Sequence, residues 1–422
     1  MSVIRSTGRI VLTIALVALP GCKRSVSQAD PAESGVVKLE DDPPSAPQPA
    51  GYQSTAEKVV DQSANVQEGD LVLISGSDED LPLLEDIAVE VRKRGADPLV
   101  TVASQRLGRR MYDEVPAKYD SKVPEMYHKL FGTIDVFIAT EFVEGRTFKG
   151  VAAERLAARG KAAAPLTAVA RKRGVRSVFL GNGLYPTAER AEQIGVSREQ
   201  LATLMYAGVD ADYERLQSTG EQVRKVLAGG RELRITNSNG TDFRVGIRGR
   251  PITISDGVIS ADDRKKGDPA TSVWLPAGEV FLTPVPGTAT GVIVTEEDYV
   301  QGQRVEGLRL EFSAGKLISM TAKSGLEPLQ AMYDAAGAGR DVPGVIDIGI
   351  NPGVKAPAGK ALHLWSQAGS VTVGVGNNGW AGGNNQSEFM VTGHSTGSTV
   401  TVDGQVLVQE GKLLPDNQVA RK

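Results

Sequence analysis

The sequence predicts an α/β plus α+β chain, with an N-terminal parallel-sheet α/β domain followed by a mainly β C-terminal domain. Between residues 55 and 228, short apolar strands alternate with helical segments, which is typical of a parallel sheet covered by helices. Beyond residue 229, short alternating runs are separated by glycine turns instead. A folded body of about 370 residues also exceeds what one hydrophobic core usually serves, so two domains are expected.

In the first half, residues 70–75 form an apolar run typical of a buried strand. Apolar residues between Leu84 and Val91 then recur at helical spacing before Gly95 ends the helix. The turn at residues 181–183 lacks the third glycine and the later acidic residue of a dinucleotide-binding motif, so it predicts a turn alone. The remaining predictions here are strands at 98–103, 135–140 and 176–180 and helical segments at 151–173 and 198–227.

The second half, residues 229–422, predicts many short strands and one amphipathic helix over residues 326–335. We place the boundary between the two halves near residues 225–232, where the helical pattern ends. The predicted strands cover residues 232–236, 242–247, 280–283, 291–295, 308–312, 316–321, 344–350, 370–376, 389–392, 398–402 and 406–408.

The N-terminus, residues 1–22, has the pattern of a bacterial secretion signal. Arg5 and Arg9 form a basic region, an apolar run follows, and Leu19-Pro20-Gly21-Cys22 matches the lipobox of lipoproteins. The alternative is a short transmembrane anchor, but a membrane span needs about twenty apolar residues and this run is about half as long. We therefore predict that Cys22 is lipidated and holds the protein in the bacterial cell envelope, with its body in the periplasm or outside the cell.

Residues 23–54 are rich in Pro, Ala, Ser and Asp, a composition that buries little apolar surface and predicts a disordered tether. Cys22 is the only cysteine, so its lipidation leaves no thiol for disulfides, thiolate metal sites or nucleophilic catalysis. The formal net charge is −4. A mildly acidic chain without a basic stripe lacks the electrostatic footprint of a nucleic-acid-binding protein.

Five short motifs follow one another in the second half and resemble the thermophilic aminopeptidase T family of leucyl-type metallo-aminopeptidases. The strand after Glu68-Gly69-Asp70 and the helix end at Lys93-Arg94-Gly95-Ala96 are similar too, so the resemblance covers roughly residues 56–413. It implies the fold predicted above. The five motifs are Asn239-Gly240-Thr241-Asp242-Phe243, Leu275-Pro276-Ala277-Gly278-Glu279-Val280-Phe281, Asp347-Ile348-Gly349-Ile350-Asn351-Pro352, Gly382-Gly383-Asn384-Asn385-Gln386-Ser387 and Val402-Asp403-Gly404.

The resemblance also implies a site with two divalent metal ions, where a bridging water becomes a nucleophile at neutral pH. Glu279 matches the first glutamate ligand of the family, and Asp347 matches the second with one methylene less. The histidine of a later strand is matched by Thr372, and the family's His-Trp-Asp is matched by Met390-Val391-Thr392. An upstream acidic pair falls at Leu364-Trp365. Threonine and methionine are poor ligands for zinc- or cobalt-type ions, so most of the metal ligands are replaced.

The chain has three histidines, His128, His363 and His394. Met390, Thr392 and His394 would share one face of an extended strand, and this places His394 about 7 Å beyond the old ligand position. We therefore interpret His394 and His363 as ordinary core or surface residues. Gly393-His394-Ser395-Thr396-Gly397 has the Gly-x-Ser-x-Gly spacing and Ser387 has no such motif, but this segment lies between two predicted strands. The serine-hydrolase motif needs a strand-to-helix turn, so its position argues against a serine hydrolase.

Two functions remain open. The first is a catalytically degenerate relative without a metal, which keeps the scaffold and acts by binding a peptide or envelope component or by assembling. The second is an active aminopeptidase whose rebuilt site uses Glu279 and Asp347 to bind one or two zinc, cobalt or manganese ions. Whether the chain is an enzyme is thus open, although the ligand loss favours the first. The resemblance also implies a homodimer.

Overall fold

The computed structural model describes residues 52–141, 145–300, 303–357 and 364–414. The predicted signal with Cys22, nearly all of the predicted tether, and His363 lie outside these ranges. Within them, no helix is long and apolar enough to cross a membrane.

The helices of the described residues are α1 (Tyr52–Lys58), α2 (Leu81–Lys93), α3 (Gln105–Asp113), α4 (Glu125–Phe131), α5 (Ala153–Arg173), α6 (Ala188–Ile194), α7 (Arg198–Val209), α8 (Tyr213–Gly229), α9 (Ala261–Lys266) and α10 (Glu327–Ala335). The strands are β1 (Leu71–Ser77), β2 (Asp97–Ala103), β3 (Val136–Thr140), β4 (Arg176–Leu180), β5 (Glu232–Thr236), β6 (Asp242–Gly246), β7 (Ile252–Ser255), β8 (Ser272–Leu275), β9 (Glu279–Leu282), β10 (Thr290–Val294), β11 (Glu297–Val300), β12 (Gln303–Glu306), β13 (Arg309–Ser313), β14 (Lys316–Thr321), β15 (Pro343–Gly349), β16 (Val371–Gly376), β17 (Met390–Ser395), β18 (Thr399–Val402), β19 (Gln405–Gln409) and β20 (Lys412–Leu413).

The predicted parallel sheet is confirmed. Its strand order is β2-β1-β3-β4-β8, and every neighbouring pair runs parallel. The first four strands are those predicted from the apolar runs. The fifth, β8, was not predicted, because it is only four residues long and lies deep in the second half of the chain.

The second half forms the predicted mainly β structure, and its sheets are antiparallel. A large antiparallel sheet has the order β14-β13-β10-β6-β5-β18-β19-β20, and a small antiparallel sheet has the order β17-β16-β15-β9-β7. Strands β11 and β12 form a separate hairpin. In the small sheet, all seven residues of β15 are buried, because this strand lies at the centre of the sheet.

The prediction of one helical segment over residues 198–227 is wrong in one respect, because the segment is two helices, α7 and α8. Helix α7 ends at Val209, and Asp212 begins the next helix by accepting a hydrogen bond from the Arg215 amide at 3.1 Å. Aspartate is a preferred residue at this position because its carboxylate satisfies an amide that has no partner within the helix. Apolar residues recur at a similar helical spacing before and after the break between α7 and α8, so the sequence pattern alone does not reveal where the first helix ends.

The two halves of the chain are joined through β8. This strand belongs to the parallel sheet, and only residues 276–278 separate it from β9 of the small antiparallel sheet. Buried apolar residues of both halves, such as Val72 and Val280, belong to one continuous cluster. The division into domains at residue 228 stays a prediction. The functional importance of this connection is that it places β9 directly beside the parallel sheet.

Strand register brings several predicted site residues onto one face of the small sheet. Asp347 on β15 pairs with Phe281 on β9 and with Thr372 on β16, and Thr372 pairs with His394 on β17. Directly paired residues of antiparallel strands share a face, as do residues two apart along a strand. The shared face, called the site face below, therefore carries Glu279, Phe281, Asp347, Thr372, Met390, Thr392 and His394.

Gly349 allows a loop to pass directly over the site face. A Cβ atom at this position would lie 2.1 Å from the carbonyl oxygen of Gln367 and 2.5 Å from that of Trp365. Any side chain here would push the loop away. The glycine of the Asp347–Asn351 motif therefore serves the packing of the backbone, and it brings Trp365 close to the sheet.

Candidate functional site

A cleft of about 460 Å³ lies between the parallel sheet and the site face. Thr140 is the last residue of β3, and Asn182 follows the end of β4, so one wall is built at the carboxyl ends of parallel strands, where ligands bind in open α/β sheets. Glu279 and Met390 contribute from the small antiparallel sheet. The lining residues are Thr140, Glu141, Phe179, Asn182, Gly183, Trp274, Glu279, Trp365, Trp380 and Met390.

All three tryptophans of the chain line this cleft. The Trp274 and Trp380 rings are 5.6 Å apart with an interplanar angle of 76°, and the Trp365 and Trp380 rings are 6.1 Å apart at 86°. Phe179 stacks on Trp274 with ring centroids 5.7 Å apart. These edge-to-face and stacked contacts are the favoured geometries of aromatic pairs. They give the cleft a rigid aromatic wall.

Glu279 is the carboxylate that reaches the cleft from β9. The residue is 3% exposed, and its Oε1 accepts a hydrogen bond of 2.5 Å from the Asn182 amide, which also donates to the Pro276 carbonyl. Burial raises the pKa of Glu279 above its usual value, and the bond from Asn182 offsets part of that rise. Asn182 therefore fixes the position of the carboxyl group.

Asp347 lies diagonally from Glu279 on the site face and is 1% exposed. Neither of its oxygen atoms has a hydrogen-bond partner among the described residues. Burial raises the pKa of Asp347 well above its usual range, and the negative charge of Glu279 raises it further. The backbone amide of Ile348 acts in the opposite direction and lowers the pKa of Asp347. It does not form a hydrogen bond of normal geometry with either carboxyl oxygen. A buried carboxylate without a partner is costly to the fold.

His394 is a buried histidine that contacts two of the replaced ligand positions. Its Nδ1 lies 2.8 Å from the Thr372 hydroxyl, and its Nε2 lies 3.1 Å from the Thr392 hydroxyl. Its ring packs edge-to-face on Trp365 at 4.9 Å. The sequence interpreted His394 as an ordinary core or surface residue, and the structure places it in the core with its ring between the two threonines.

The other residues named from the sequence lie in structural roles. Leu364 is buried in the main apolar cluster, and Ser395 bonds to Ser398 at 2.6 Å. The Ser387 hydroxyl accepts a bond from the Phe389 amide. His128 lies on α4 and does not line the cleft. None of these contacts has the form of a nucleophile held by a base.

The sequence profile of the thermophilic metalloproteases (M29) matches residues 51–341 of this chain. The chain belongs to the M29 family. This match includes Glu279 and ends before Asp347, Thr372 and His394. A comparison with curated proteins gives no match.

Two solved structures share the M29 chain's fold. AmpT, the aminopeptidase T of Thermus thermophilus, is 20% identical with a TM-score of 0.67, and the match covers 86% of this chain and 99% of AmpT. The 2,5-dihydroxypyridine dioxygenase of Pseudomonas putida KT2440 is 15% identical with a TM-score of 0.57, covering 87% of this chain and 98% of the dioxygenase. At these identities the likeness shows the fold alone, and one fold carrying two differently named enzymes shows that it does not fix the reaction.

The described residues do not fit the two-metal centre that the M29 resemblance implies. Among them, no group of three or more His, Cys, Asp or Glu side chains is arranged to hold a metal ion. Glu279 and Asp347 are two buried carboxyl groups, and the His394 imidazole on the same face already contacts Thr372 and Thr392. Catalytic zinc sites usually need three protein ligands.

Sequence reasoning missed the aromatic wall and Asn182. The signal for Asn182 was present, because it follows a parallel strand at the edge where ligands bind, but the turn was interpreted as structural alone. The three tryptophans come from separate segments of the chain. Their convergence in this M29 relative follows from β8 joining the parallel sheet, and β8 itself was not predicted.

Proposed function

We propose that this chain is a ligand-binding relative of the M29 peptidases that keeps the cleft and has lost the peptidase centre. The observation that carries the proposal is the His394 ring lying between Thr372 and Thr392. These positions match the family's metal-binding residues, and the three side chains satisfy one another instead. A buried polar cluster of this kind stabilises a core without binding a ligand.

The cleft beside this cluster supports a binding role. Its volume of about 460 Å³ lies within the range of small-molecule sites, which are mostly apolar with a few placed polar groups. The aromatic wall supplies the apolar surface, and Asn182, Glu141 and Glu279 supply the polar groups. A small molecule or the end of a peptide is the proposed size of ligand.

An activity assay tests the proposal. We expect the purified chain, supplied with zinc, cobalt or manganese, to release no p-nitroaniline from aminoacyl-p-nitroanilides above the level of its Glu279→Ala variant. AmpT assayed beside it is the positive control. Metal-dependent hydrolysis that disappears in Glu279→Ala would instead establish a peptidase.

The second candidate function is an active metallo-aminopeptidase with a rebuilt site. The observation in its favour is Asp347, because a buried carboxylate whose oxygens lack partners among the described residues is the kind of group that a cation would satisfy. Glu279 lies on the same face and would be the other oxygen ligand. The same activity assay distinguishes the two functions.

We also propose that the protein is anchored in the bacterial envelope through a lipid on Cys22. The lipobox sequence Leu19-Pro20-Gly21-Cys22 supports this proposal. In bacteria grown with labelled palmitate, we expect label in the wild-type protein and none in Cys22→Ser. The wild-type protein should sediment with membranes, whereas an unlabelled wild-type protein would contradict lipidation. A homodimer remains the expectation from the family.

A further inference from the structure

The cleft walls present ring faces and edges from three directions. Trp274 comes from the parallel sheet, Trp365 from the loop over Gly349, and Trp380 from a turn after β16. Trp380 stands nearly perpendicular to both other rings. Aromatic rings set at right angles around one space can surround a compact group on several sides.

The charge of the lining is negative. Glu141 and Glu279 line the cleft, and none of the lining residues that the structure describes is a lysine, arginine or histidine. Two described arginines close to the cleft bond to other protein groups, and the positive charge of Arg190 also interacts with Glu141. Arg190 donates to the Gly183 carbonyl at 2.7 Å, and Arg171 pairs with Asp268 at 2.6 Å. A cationic ligand is thus complementary to the lining, and an anionic one is not.

Most of the hydrogen-bond donors at the cleft already donate to groups of the protein itself. The Asn182 amide donates to Glu279 and to the Pro276 carbonyl, and the Gly183 amide donates to Glu141 at 2.8 Å. The Trp380 Nε1 is buried and has no partner among the described residues. A ligand therefore meets carboxylates and aromatic faces, and few groups that could donate to it.

We infer that the cleft binds an organic cation whose ammonium group is alkylated, as in choline, with the ammonium enclosed by the tryptophans. This inference rests on the proposed binding function. An alkylated ammonium makes few or no hydrogen bonds and is attracted to the faces of aromatic rings, most strongly to tryptophan. A primary ammonium carries three donors that each need an acceptor. The tryptophan faces supply none, so among the lining carboxylates only Glu141 and Glu279 could accept from it.

The test is a titration of the full chain in dodecyl maltoside, followed by tryptophan fluorescence and calorimetry. The probes are choline, benzyltrimethylammonium and 3,3-dimethylbutanol, the last being an uncharged carbon analogue of choline. We expect both cations to bind at least about tenfold more tightly than the alcohol, since contact with several rings adds to the attraction. Because all three tryptophans line the cleft, binding should also change the intrinsic fluorescence.

Variants separate charge from shape. Glu141→Gln should weaken choline binding by about tenfold or less, whereas Glu214→Gln on the exposed surface of α8 should leave it unchanged. Trp274→Leu should abolish binding, and Trp274→Phe, which keeps a ring, should restore most of it. Circular dichroism of each variant checks that the fold is kept.

Each outcome has one meaning. Equal binding of the alcohol and the cations would overturn the cation inference and leave the proposed binding function standing. No binding of any probe would overturn the inference, and the activity assay would still decide the proposed function by itself. Phosphocholine is titrated as a fourth probe to identify the source of the cation. Binding of choline alone supports a free cation, and binding of both supports a lipid headgroup with the same chemistry.

Discussion

Replacing Asn351 with alanine is expected to lower the free energy of unfolding by about 3–5 kcal/mol. Asn351 is 0% exposed. Its amide donates to the carbonyls of Gly208 and Ala277 at 3.0 and 2.6 Å, and its Oδ1 accepts from the Gly353 amide at 2.8 Å. Alanine would leave the Ala277 carbonyl and the part-buried Gly353 amide without these partners, and the Gly208 carbonyl would keep its 3.4 Å bond from the Ala211 amide. Each buried group that loses its partner costs about 1–3 kcal/mol, reduced by any relaxation of the structure.

Denaturant unfolding measures this effect, with Asn384→Ala as the matched control. Asn384 belongs to another motif of the resemblance and is exposed, so its loss should change the free energy by no more than about 0.5 kcal/mol. Because Ala277 precedes β9 and Asn351 follows β15, the bond also fixes the strands that carry Glu279 and Asp347. A change below about 1 kcal/mol in Asn351→Ala would mean that water replaces these bonds and that the motif has another role.

Replacing Asp347 with asparagine is expected to raise the free energy of unfolding by about 1–3 kcal/mol at pH 8. The aspartate is buried without partners for its oxygens among the described residues, and Glu279 lies close enough to raise its pKa further. An amide of the same shape is also buried without partners, but burying a neutral group costs less than burying a charge. Removing the charge therefore stabilises the fold.

The pH dependence of stability gives the same prediction a second measurement. A raised pKa means that the folded carboxyl group of Asp347 holds its proton more tightly than the unfolded one. The wild-type protein should therefore lose stability as the pH rises above about 4, the usual value, towards the raised folded-state value, and should lose no more beyond it.

Asp347→Asn should show a smaller loss over this range, and Asp334→Asn, an exposed control on α10, should match the wild type. If Asp347→Asn is less stable than the wild type at pH 8, the carboxylate of Asp347 has a partner that satisfies its charge. The claim that this carboxyl group lacks partners and destabilises the fold would then be wrong.

Much of the fold could be predicted because the local signals agree with the tertiary structure. Apolar runs such as residues 176–180 are buried strands in the parallel sheet, and the glycine-separated runs of the second half form antiparallel sheets. Strand β8 could not be predicted, because its pairing with β4 depends on a contact between residues nearly a hundred positions apart. Periodicity carries no information about such a contact.

The candidate site could be predicted only in part. Alternation along the strand correctly placed Thr392 and His394 on one face. Strand pairing also brings Glu279 and Asp347 to one face, which the order of the motifs alone did not predict. The rotation of the His394 ring towards Thr372, the bond from Asn182 to Glu279, and the meeting of three tryptophans depend on side-chain packing between separate segments. Spacing along the sequence does not encode these contacts.

The central claim is that the inherited two-metal centre has been lost, and metal content tests it most directly. The compact unit of residues 48–422 would be incubated with zinc, cobalt or manganese, desalted and analysed beside its Glu279→Ala variant. The account predicts that the two proteins retain the same small amount of metal. One or two ions per chain in the wild type that disappear in Glu279→Ala would contradict it and establish a rebuilt metal site.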